Sequence, residues 1–222
     1  MKKIINYLGT EVEVQIKNEN EFIQKHWIGG CFYEAKGGGL LNWINAFVPK
    51  GGKFIDIGAS IGNHTVFLSK VMNGREVHAI EPLKSSFEHL VENVELNGFK
   101  NVFCHNFAVG ESNGHVSMKN INADQIGMTQ VIKGNDVELK RIDDLDFFDG
   151  YDYIKIDVEH YNKEVLTGAA ETFKKGKGII SIEAESDEQL IEVDEIMKKF
   201  NYIRQLGTKL NSTPTYIFHK IQ

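Results

Sequence analysis

Short apolar runs alternate with amphipathic segments along most of this chain. The runs have the length of buried strands and lie at 54–57, 76–80, 102–104, 153–159 and 178–183. The intervening segments repeat apolar residues every three to four positions, as helices do, and lie at 63–72, 85–97, 163–173 and 187–200. Strands that alternate with helices predict an α/β fold built on a mostly parallel, twisted sheet.

The N-terminal part adds elements before this alternation begins. Apolar and polar residues alternate over 12–16, which predicts a half-exposed strand, and short helices are predicted over 18–27 and 40–48. Five glycines in the eleven residues 29–39 indicate a tight or mobile loop. This loop precedes the core sheet, so it is either a plain linker or a lid, and a lid would bring Glu34 to a bound ligand.

The C-terminal end predicts an antiparallel hairpin. Segments 202–206 and 215–219 have strand character and flank a turn at 211–214. No internal repeat and no shift in composition divides the chain, so we predict a single domain. It comprises a short N-terminal extension, 1–50, and a cofactor-binding part, 51–222.

The stretch from 54 to 65 joins the first core strand, a glycine turn and a helix. Gly58 permits a sharp turn and a close approach of the backbone to a ligand, and Gly62 lets the helix start close to the strand. Free N–H groups at such a helix start bind carboxylates or phosphates. This order of elements is typical of the nucleoside-binding corner of doubly wound sheets. The cofactor contacts predicted here are Gly58, Ala59, Ser60 and Asn63.

Two departures from the dinucleotide fingerprint G-x-G-x-x-G bear on the identity of the cofactor. The middle glycine, which admits a pyrophosphate, is replaced by Ser60. Asp56 lies inside the strand, and a carboxylate suits an ammonium or hydroxyl group better than a phosphate. Both departures favour S-adenosylmethionine over NAD. An aspartate in a buried strand is costly unless it is paired, which disfavours a corner without a ligand.

The second core strand ends at Glu81 and Pro82, 25 residues after the acid of the first strand. An acid at this place accepts hydrogen bonds from both ribose hydroxyls of a nucleoside and would repel a 2′-phosphate. We therefore predict that Glu81 binds ribose, with Pro82 beside it. In doubly wound sheets the turn after the third strand, here 106–110, lies beside the adenine. Asn106 offers its amide there, and Ala108 an apolar surface.

The fourth core strand carries an unusual polar side. A period of two puts Tyr153, Lys155, Asp157 and Glu159 on one side. Three charged groups there are costly unless the strand opens into a ligand crevice or lies at a partly solvated edge. The crevice interpretation places Asp157 in the site.

The region from 111 to 149 is the least regular. Antiparallel strands are predicted over 115–119 and 137–141. Residues 125–130 are polar, so they either line an acceptor pocket or cross the surface.

Composition and charge narrow the function classes. A chain of 222 residues suffices for one large domain. Its formal net charge of −6, without a dense Lys/Arg run, disfavours nucleic acid as a partner. The cysteines, Cys31 and Cys104, do not suggest a disulfide framework, and no stretch predicts a membrane span or a secretion signal. We expect a cytoplasmic protein; its oligomeric state is not indicated.

Several motifs in order resemble the FkbM family of S-adenosylmethionine-dependent methyltransferases. They lie between 54 and 183 and read Phe-Ile-Asp-Ile-Gly-Ala-Ser-Ile-Gly-Asn (54–63), Ala-Ile-Glu-Pro (79–82), Leu-Asn-Gly (96–98), Ala-Val-Gly (108–110), Ile-Lys-Ile-Asp-Val-Glu (154–159) and Val-Leu-Thr-Gly-Ala (165–169). The resemblance implies a Rossmann-like class I methyltransferase fold, S-adenosyl-L-methionine as cofactor, and O-methyl transfer to a small-molecule or glycan acceptor, often a sugar hydroxyl. By this resemblance, cofactor or active-site positions fall on Asp56, Gly58, Ala59, Glu81, Ala108 and Asp157.

After Glu159 the sequence departs from the family pattern. The family continues with glycine, a variable residue and glutamate, whereas this chain has His160, Tyr161 and Asn162. A nearby base should accelerate transfer to a hydroxyl by about 10²–10⁴-fold. The candidate bases are Asp157, which has the better position, and His160, which has the better ordinary pKa unless it is an exposed loop residue. Asp157 and Glu159 alone are too few ligands for a divalent ion, so no metal site is predicted.

Three other functions are compatible with the sequence. A nicotinamide-dependent oxidoreductase shares the corner and Glu81, but not the middle glycine. Neither Asn/Asp-Pro-Pro-Tyr nor Pro-Cys occurs, which disfavours methylation of nucleic-acid bases. An RNA ribose methyltransferase would bind RNA with a steep salt dependence. The altered segment 160–162 is also compatible with a non-catalytic cofactor-binding module.

Overall fold

The structure is a computed structural model that describes residues 1–120, 128–207, 209–211 and 214–221. Its strands, numbered in chain order, are β1 (Lys2–Tyr7), β2 (Thr10–Gln15), β3 (Lys53–Ile57), β4 (Glu76–Ile80), β5 (Val102–His105), β6 (Ala108–Gly110), β7 (Gly114–Asn120), β8 (Thr129–Arg141), β9 (Tyr153–Ile156), β10 (Ile179–Glu183), β11 (Tyr202–Arg204) and β12 (Thr215–Lys220).

The helices lie largely between these strands. They are α1 (Phe22–Ile28), α2 (Leu40–Phe47), α3 (Asn63–Lys70), α4 (Lys84–Leu96), α5 (Asn162–Gly168), α6 (Ala170–Lys175) and α7 (Asp187–Lys199), with short 3₁₀ turns at Ile142–Asp144 and Asp146–Phe148. Helix α1 starts later than the predicted 18–27 because Glu21 caps it and accepts from the Gln24 N–H. Within the described ranges, no helix combines the length and the apolar character needed to cross a bilayer.

The central sheet confirms the predicted mostly parallel α/β fold. Its seven strands run in the order β11-β12-β10-β9-β3-β4-β5. Strand β12 is antiparallel to both β10 and β11, and the contacts among β10, β9, β3, β4 and β5 are parallel. The predicted hairpin at the C-terminal end is therefore present as β11 and β12. The predicted turn at 211–214 includes residues 212 and 213, which lie outside the described ranges.

Apolar side chains cover both faces of this sheet. Ile55 and Ile57 of β3 pack in one core with Ile154 and Ile156 of β9. The alternate residues Phe54 and Tyr153 pack in a second core on the opposite face. Both cores follow from the period of two, because consecutive residues of a strand point to opposite faces.

The N-terminal extension packs on the second core. Strand β2 was predicted, but β1 was missed because only Ile5 and Tyr7 of its six residues are buried. Two backbone N–H groups of β2 donate to asparagine side chains of helix α4 and its C-terminal cap. The Gln15 N–H donates to Asn93 Oδ1 over 2.8 Å, and the Glu13 N–H donates to Asn97 Oδ1 over 2.9 Å.

A small sheet in the order β6-β8-β7 forms beside the central one. Strands β7 and β8 are antiparallel, as predicted for 115–119 and 137–141, but both are longer. The prediction of a turn over 106–110 was wrong in its last three residues. These form β6, which pairs in parallel with the end of β8.

Two predicted boundaries around the fourth core strand were also wrong. Strand β9 ends at Ile156, and the left-handed φ angles of Glu159 and His160, 38° and 65°, turn the chain shortly afterwards. The predicted helix 163–173 is interrupted at Ala169. Directly before this break, a Cβ on Gly168 would lie 1.8 Å from the Gly110 carbonyl oxygen, so α5 packs tightly on β6.

Candidate active site

A cavity of about 540 Å³ lies at the carboxyl edge of the parallel strands. Its wall includes residues that end or directly follow β3, β4, β9 and β10, the place where such folds bind ligands. The predicted site residues that line it are Gly58, Ala59, Ser60, Asn63, Glu81, Pro82, Ala108 and Asp157. The other predicted site residues, Glu34, Asp56, Asn106 and His160, do not contribute to its wall.

Gly58 turns the chain directly after β3. Its φ of 77° is in the left-handed region, and a Cβ on it would lie 1.8 Å from the Asp157 carbonyl oxygen. The N–H groups of Gly58 and Ala59 both donate to the Ile80 carbonyl oxygen, each over 3.0 Å. Glycine at this position therefore lets the turn rest between the ends of β9 and β4.

Asp56 is fully buried in β3 and carries two partners. Its Oδ2 accepts from the Thr65 hydroxyl over 2.7 Å, and its Oδ1 lies 3.4 Å from the Lys155 ammonium. Lys155 is its register partner on β9, and this ammonium also lies 3.2 Å from Asp157 Oδ2. Burial lowers the pKa of Lys155, but the carboxylates of Asp157 and Asp56 outweigh it and raise that pKa above its ordinary value. Lys155 is thus a fixed cation between two acids.

Glu81 forms part of the wall after β4 and is 7% exposed. Its two carboxylate oxygens accept from the N–H groups of Ser60 and Leu83, each over 2.8 Å. Burial nevertheless raises the pKa of Glu81 to about 7. Asn106 donates to the carbonyl oxygens of Glu81 and Pro82 over 2.8 and 3.1 Å, so its amide holds this strand end in place.

The glycine-rich loop before α2 packs on the start of α3. Asn63 Oδ1 accepts from the Trp27 indole over 3.0 Å and from the Tyr33 N–H over 3.1 Å. Glu34 Oε2 lies 2.8 Å from His64 Nε2. Tyr33 and His64 line the cavity, so this loop contributes directly to its wall.

Acidic residues that the sequence did not single out as site residues lie near Asp157. Burial and Asp157 raise the pKa of Glu183, at the end of β10, to about 10. Burial and a hydrogen bond with Glu185 raise the pKa of Glu159 to about 8. Oxygen atoms of Asp157, Glu159 and Glu183 lie within 4.8 Å of one another, close enough to share a cation or the hydroxyl groups of one ligand.

His160 lies outside the cavity. Its Nε2 is 3.2 Å from Glu185 Oε2, its Nδ1 accepts from the Gln189 amide, and its side chain is 48% exposed. Of the two bases considered from the sequence, Asp157 is the one that lines the cavity.

The hairpin of β7 and β8 contributes an apolar part of the wall. Met118, Met128, Thr129 and Val131 line the cavity there, and Phe22 lines it from α1. The segment 125–130 had two interpretations, pocket or surface. Its residues 125–127 lie outside the described ranges, and Met128 and Thr129 belong to the pocket.

A family model matches the part of the chain that builds this cavity. The model, described as the methyltransferase FkbM domain, covers residues 56–205. The chain belongs to the FkbM methyltransferase family. The match confirms the resemblance carried by the sequence motifs, and it includes the turn after β3, Glu81 and Asp157.

Solved structures confirm the Rossmann-like methyltransferase fold. The FkbM methyltransferase from Methylobacillus flagellatus KT is 21% identical, with a TM-score of 0.56 over 76% of this chain and 43% of that chain, so this chain spans less than half its length. A methyltransferase from Pyrococcus furiosus is 19% identical, with a TM-score of 0.51 over 89% of this chain and 92% of that chain. Precorrin-6y C5,15-methyltransferase from Geobacter metallireducens GS-15 is 15% identical, with a TM-score of 0.51 over 80% and 84%. No curated protein sequence matches this chain.

Proposed function

We propose that this FkbM family member is an S-adenosyl-L-methionine-dependent O-methyltransferase that acts on a hydroxyl group of a small molecule, such as a sugar, a glycan or a related metabolite. The observation that carries the cofactor assignment is Glu81, a buried carboxylate that directly follows the second core strand, β4, and lines the cavity. Its two oxygens have lone pairs left for two vicinal ribose hydroxyls.

The neighbouring residues fit this cofactor. The Ser60 hydroxyl is sealed from solvent and has no hydrogen-bond partner in the described chain, which suits a polar ligand atom beside it. Pro82, Ala108 and Val109 give the same cavity an apolar wall suited to an adenine ring. The cofactor, when bound, supplies a methyl group activated on a sulfonium. Asp56 is fully buried and is linked to the site by Lys155, whose ammonium also donates to the Gly58 carbonyl oxygen over 3.1 Å.

The acidic part of the cavity wall suits a hydroxylated acceptor. Asp157, Glu159 and Glu183 offer oxygen atoms that accept hydrogen bonds from hydroxyl groups. The formal net charge of −6 disfavours a polyanion such as RNA. Met118 and Phe22 add apolar surface to the wall of the same cavity. Holding the acceptor oxygen about 3–3.5 Å from the reacting carbon is worth roughly 7–11 kcal/mol.

A ligand-binding measurement separates this function from its alternatives. S-adenosylhomocysteine at 100 times its dissociation constant should add about 2.7 kcal/mol to the free energy of unfolding. The melting temperature should then rise by roughly 5–11 °C for a chain of this size. Glu81→Ala should remove the rise, whereas Glu88→Ala, which changes an exposed glutamate of α4, should keep it.

A rise with NAD alone would contradict the proposed cofactor and favour an oxidoreductase. A rise with S-adenosylhomocysteine, but no methyl transfer to any hydroxyl compound of a broad panel, would favour a non-catalytic binding module. Salt-dependent RNA binding with transfer to ribose would favour the RNA methyltransferase.

The affinity for S-adenosylhomocysteine should depend on pH through Glu81. Its pKa is raised to about 7, and the carboxylate form is the one that accepts from both ribose hydroxyls. The competent fraction therefore falls as the pH falls below 7, and the dissociation constant should rise about tenfold from pH 8 to pH 6. Isothermal titration at each pH checks this. Glu81→Gln should bind more weakly with a flat profile, and a flat profile in the unchanged protein would contradict the role of Glu81.

A further inference from the structure

A histidine and a glutamate form a buried pair at the cavity wall. The side chains of His64 and Glu34 are 8% and 4% exposed, and Nε2 of the ring lies 2.8 Å from Oε2 of the acid. Glu34 has a left-handed φ of 65°, and a Cβ on Gly39 would lie 2.3 Å from its carbonyl oxygen. The backbone of Glu34 thus has a conformation that a glutamate rarely adopts, which points to a role for its position.

This pairing defines which ring nitrogen is available. An ionised carboxylate only accepts hydrogen bonds, so the neutral ring keeps its proton on Nε2 and leaves the lone pair on Nδ1. Nδ1 has no hydrogen-bond partner in the described chain and is not among the atoms sealed from solvent. Since His64 lines the cavity, Nδ1 is the polar atom it has left for a ligand.

We propose that His64 is the general base of the methyl transfer and that Glu34 is its positioning residue. This inference rests on the proposed function. The transfer forms an oxygen–carbon bond to the acceptor and breaks the carbon–sulfur bond, whose electron pair stays on sulfur. The hydroxyl proton moves to His64 Nδ1 and then to solvent.

The surroundings suit the transfer of a proton to this ring. His64 is the second residue of α3, and Glu34 holds its Nε2 from the side opposite the free nitrogen. The Glu34 carboxylate stabilises the cation that forms during transfer. A base oriented by an acid on its far nitrogen is a recurrent arrangement in enzymes that activate hydroxyl groups. Asp157 is instead paired with Lys155, and His160 lies outside the cavity.

The tautomer of His64 tests the proposal without an acceptor. Protein labelled with ¹⁵N-histidine and bound to S-adenosylhomocysteine should show His64 with its proton on Nε2 and none on Nδ1. Comparison with the spectrum of His64→Gln assigns the signals. Glu34→Gln should weaken the preference, because a neutral amide both donates and accepts. A proton on Nδ1 in the complex would overturn the proposal, since that nitrogen could not accept another.

The rate of transfer tests it directly. The probe is labelled S-adenosylmethionine with a panel of monosaccharides and methyl glycosides. His64→Gln can still donate to Glu34 but has no base, so transfer should fall by about 10²–10⁴-fold while the melting shift with S-adenosylhomocysteine persists. His115→Gln changes an exposed histidine of β7 and should transfer like the unchanged protein.

The two hypotheses fail in different ways. If the unchanged protein transfers methyl groups and His64→Gln does so equally well, the base assignment is wrong and the proposed function stands. If the unchanged protein shows neither transfer nor a melting shift with S-adenosylhomocysteine, the proposed function itself is wrong. If it shows the shift without transfer to this panel, the cofactor assignment stands, whereas the assignment of O-methyl transfer to these acceptors fails together with the base assignment.

Discussion

Gly58→Ala should destabilise the protein and abolish binding of S-adenosylhomocysteine. An alanine at a φ of 77° is strained, and its Cβ would lie 1.8 Å from the Asp157 carbonyl oxygen, so backbone has to move. The strain costs about 1–2 kcal/mol and the steric overlap about 1–3 kcal/mol. Together they should lower the melting temperature by roughly 4–20 °C. Thermal unfolding with and without the ligand measures both effects.

Gly98→Ala separates strain from the steric overlap. Gly98 follows helix α4 with a φ of 64°, but a Cβ there would meet no atom within 4 Å. This variant should lose only the strain of about 1–2 kcal/mol and keep the ligand-induced shift. Equal losses in the two variants would show that the contact between the turn and the end of β9 does not matter.

The central sheet was predictable because its apolar runs report burial on both faces. Strand β4 was predicted with the bounds it has, and Glu81 was placed at its end, where parallel strands meet a ligand crevice. Six residues of the first glycine turn and second strand end, from Gly58 to Pro82, were predicted as site residues and line the cavity. These site residues could be predicted from local sequence, because each closely follows a strand that its own apolar run reveals.

Features that depend on contacts between distant segments were missed. Strand β6 has only three residues and exists because the end of β8 pairs with it. The break between α5 and α6 follows Gly168, where a Cβ would lie 1.8 Å from the carbonyl oxygen of Gly110 in β6. Neither the pairing of β6 with β8 nor the contact of α5 with β6 can be inferred from local periodicity, because both depend on where β6 lies in the fold.

The charged residues of the site show the same limit. The sequence singled out Asp56 as costly to bury and assigned it a ligand, whereas its cationic partner is Lys155 on the neighbouring strand. The sequence did contain a signal for this pair, because β3 carries an acid, Asp56, and β9 carries a base, Lys155, at interior strand positions. The pairing of Glu34 with His64 had no such signal, since it needs the loop to fold back on α3.

The other large effect is expected for Asp157→Ala, which should lower the rate of methyl transfer by about 10²-fold or more, because a 1 Å misplacement of the reacting groups can cost that much. The carboxylate lines the cavity at the end of β9, and its Oδ2 is held 3.2 Å from the Lys155 ammonium. Under the proposed function, this ion pair orients the carboxylate to accept from a neighbouring hydroxyl of the acceptor, which positions the hydroxyl that reacts. The rate with labelled S-adenosylmethionine and the sugar panel measures the effect.

The melting shift and the transfer rate together separate an effect of Asp157→Ala on the fold from an effect on the reaction. Lys155 retains Asp56 as a partner in Asp157→Ala, and the backbone contacts of residue 157 with Gly58 do not involve its side chain, so S-adenosylhomocysteine should still raise the melting temperature. Asp157→Asn keeps the shape of the side chain but removes its charge, so its transfer rate should lie between those of the unchanged protein and Asp157→Ala. Asp149→Ala, which changes an exposed aspartate, should transfer like the unchanged protein. A near-normal rate in Asp157→Ala would remove this residue from the site and leave acceptor placement to Glu159 and Glu183.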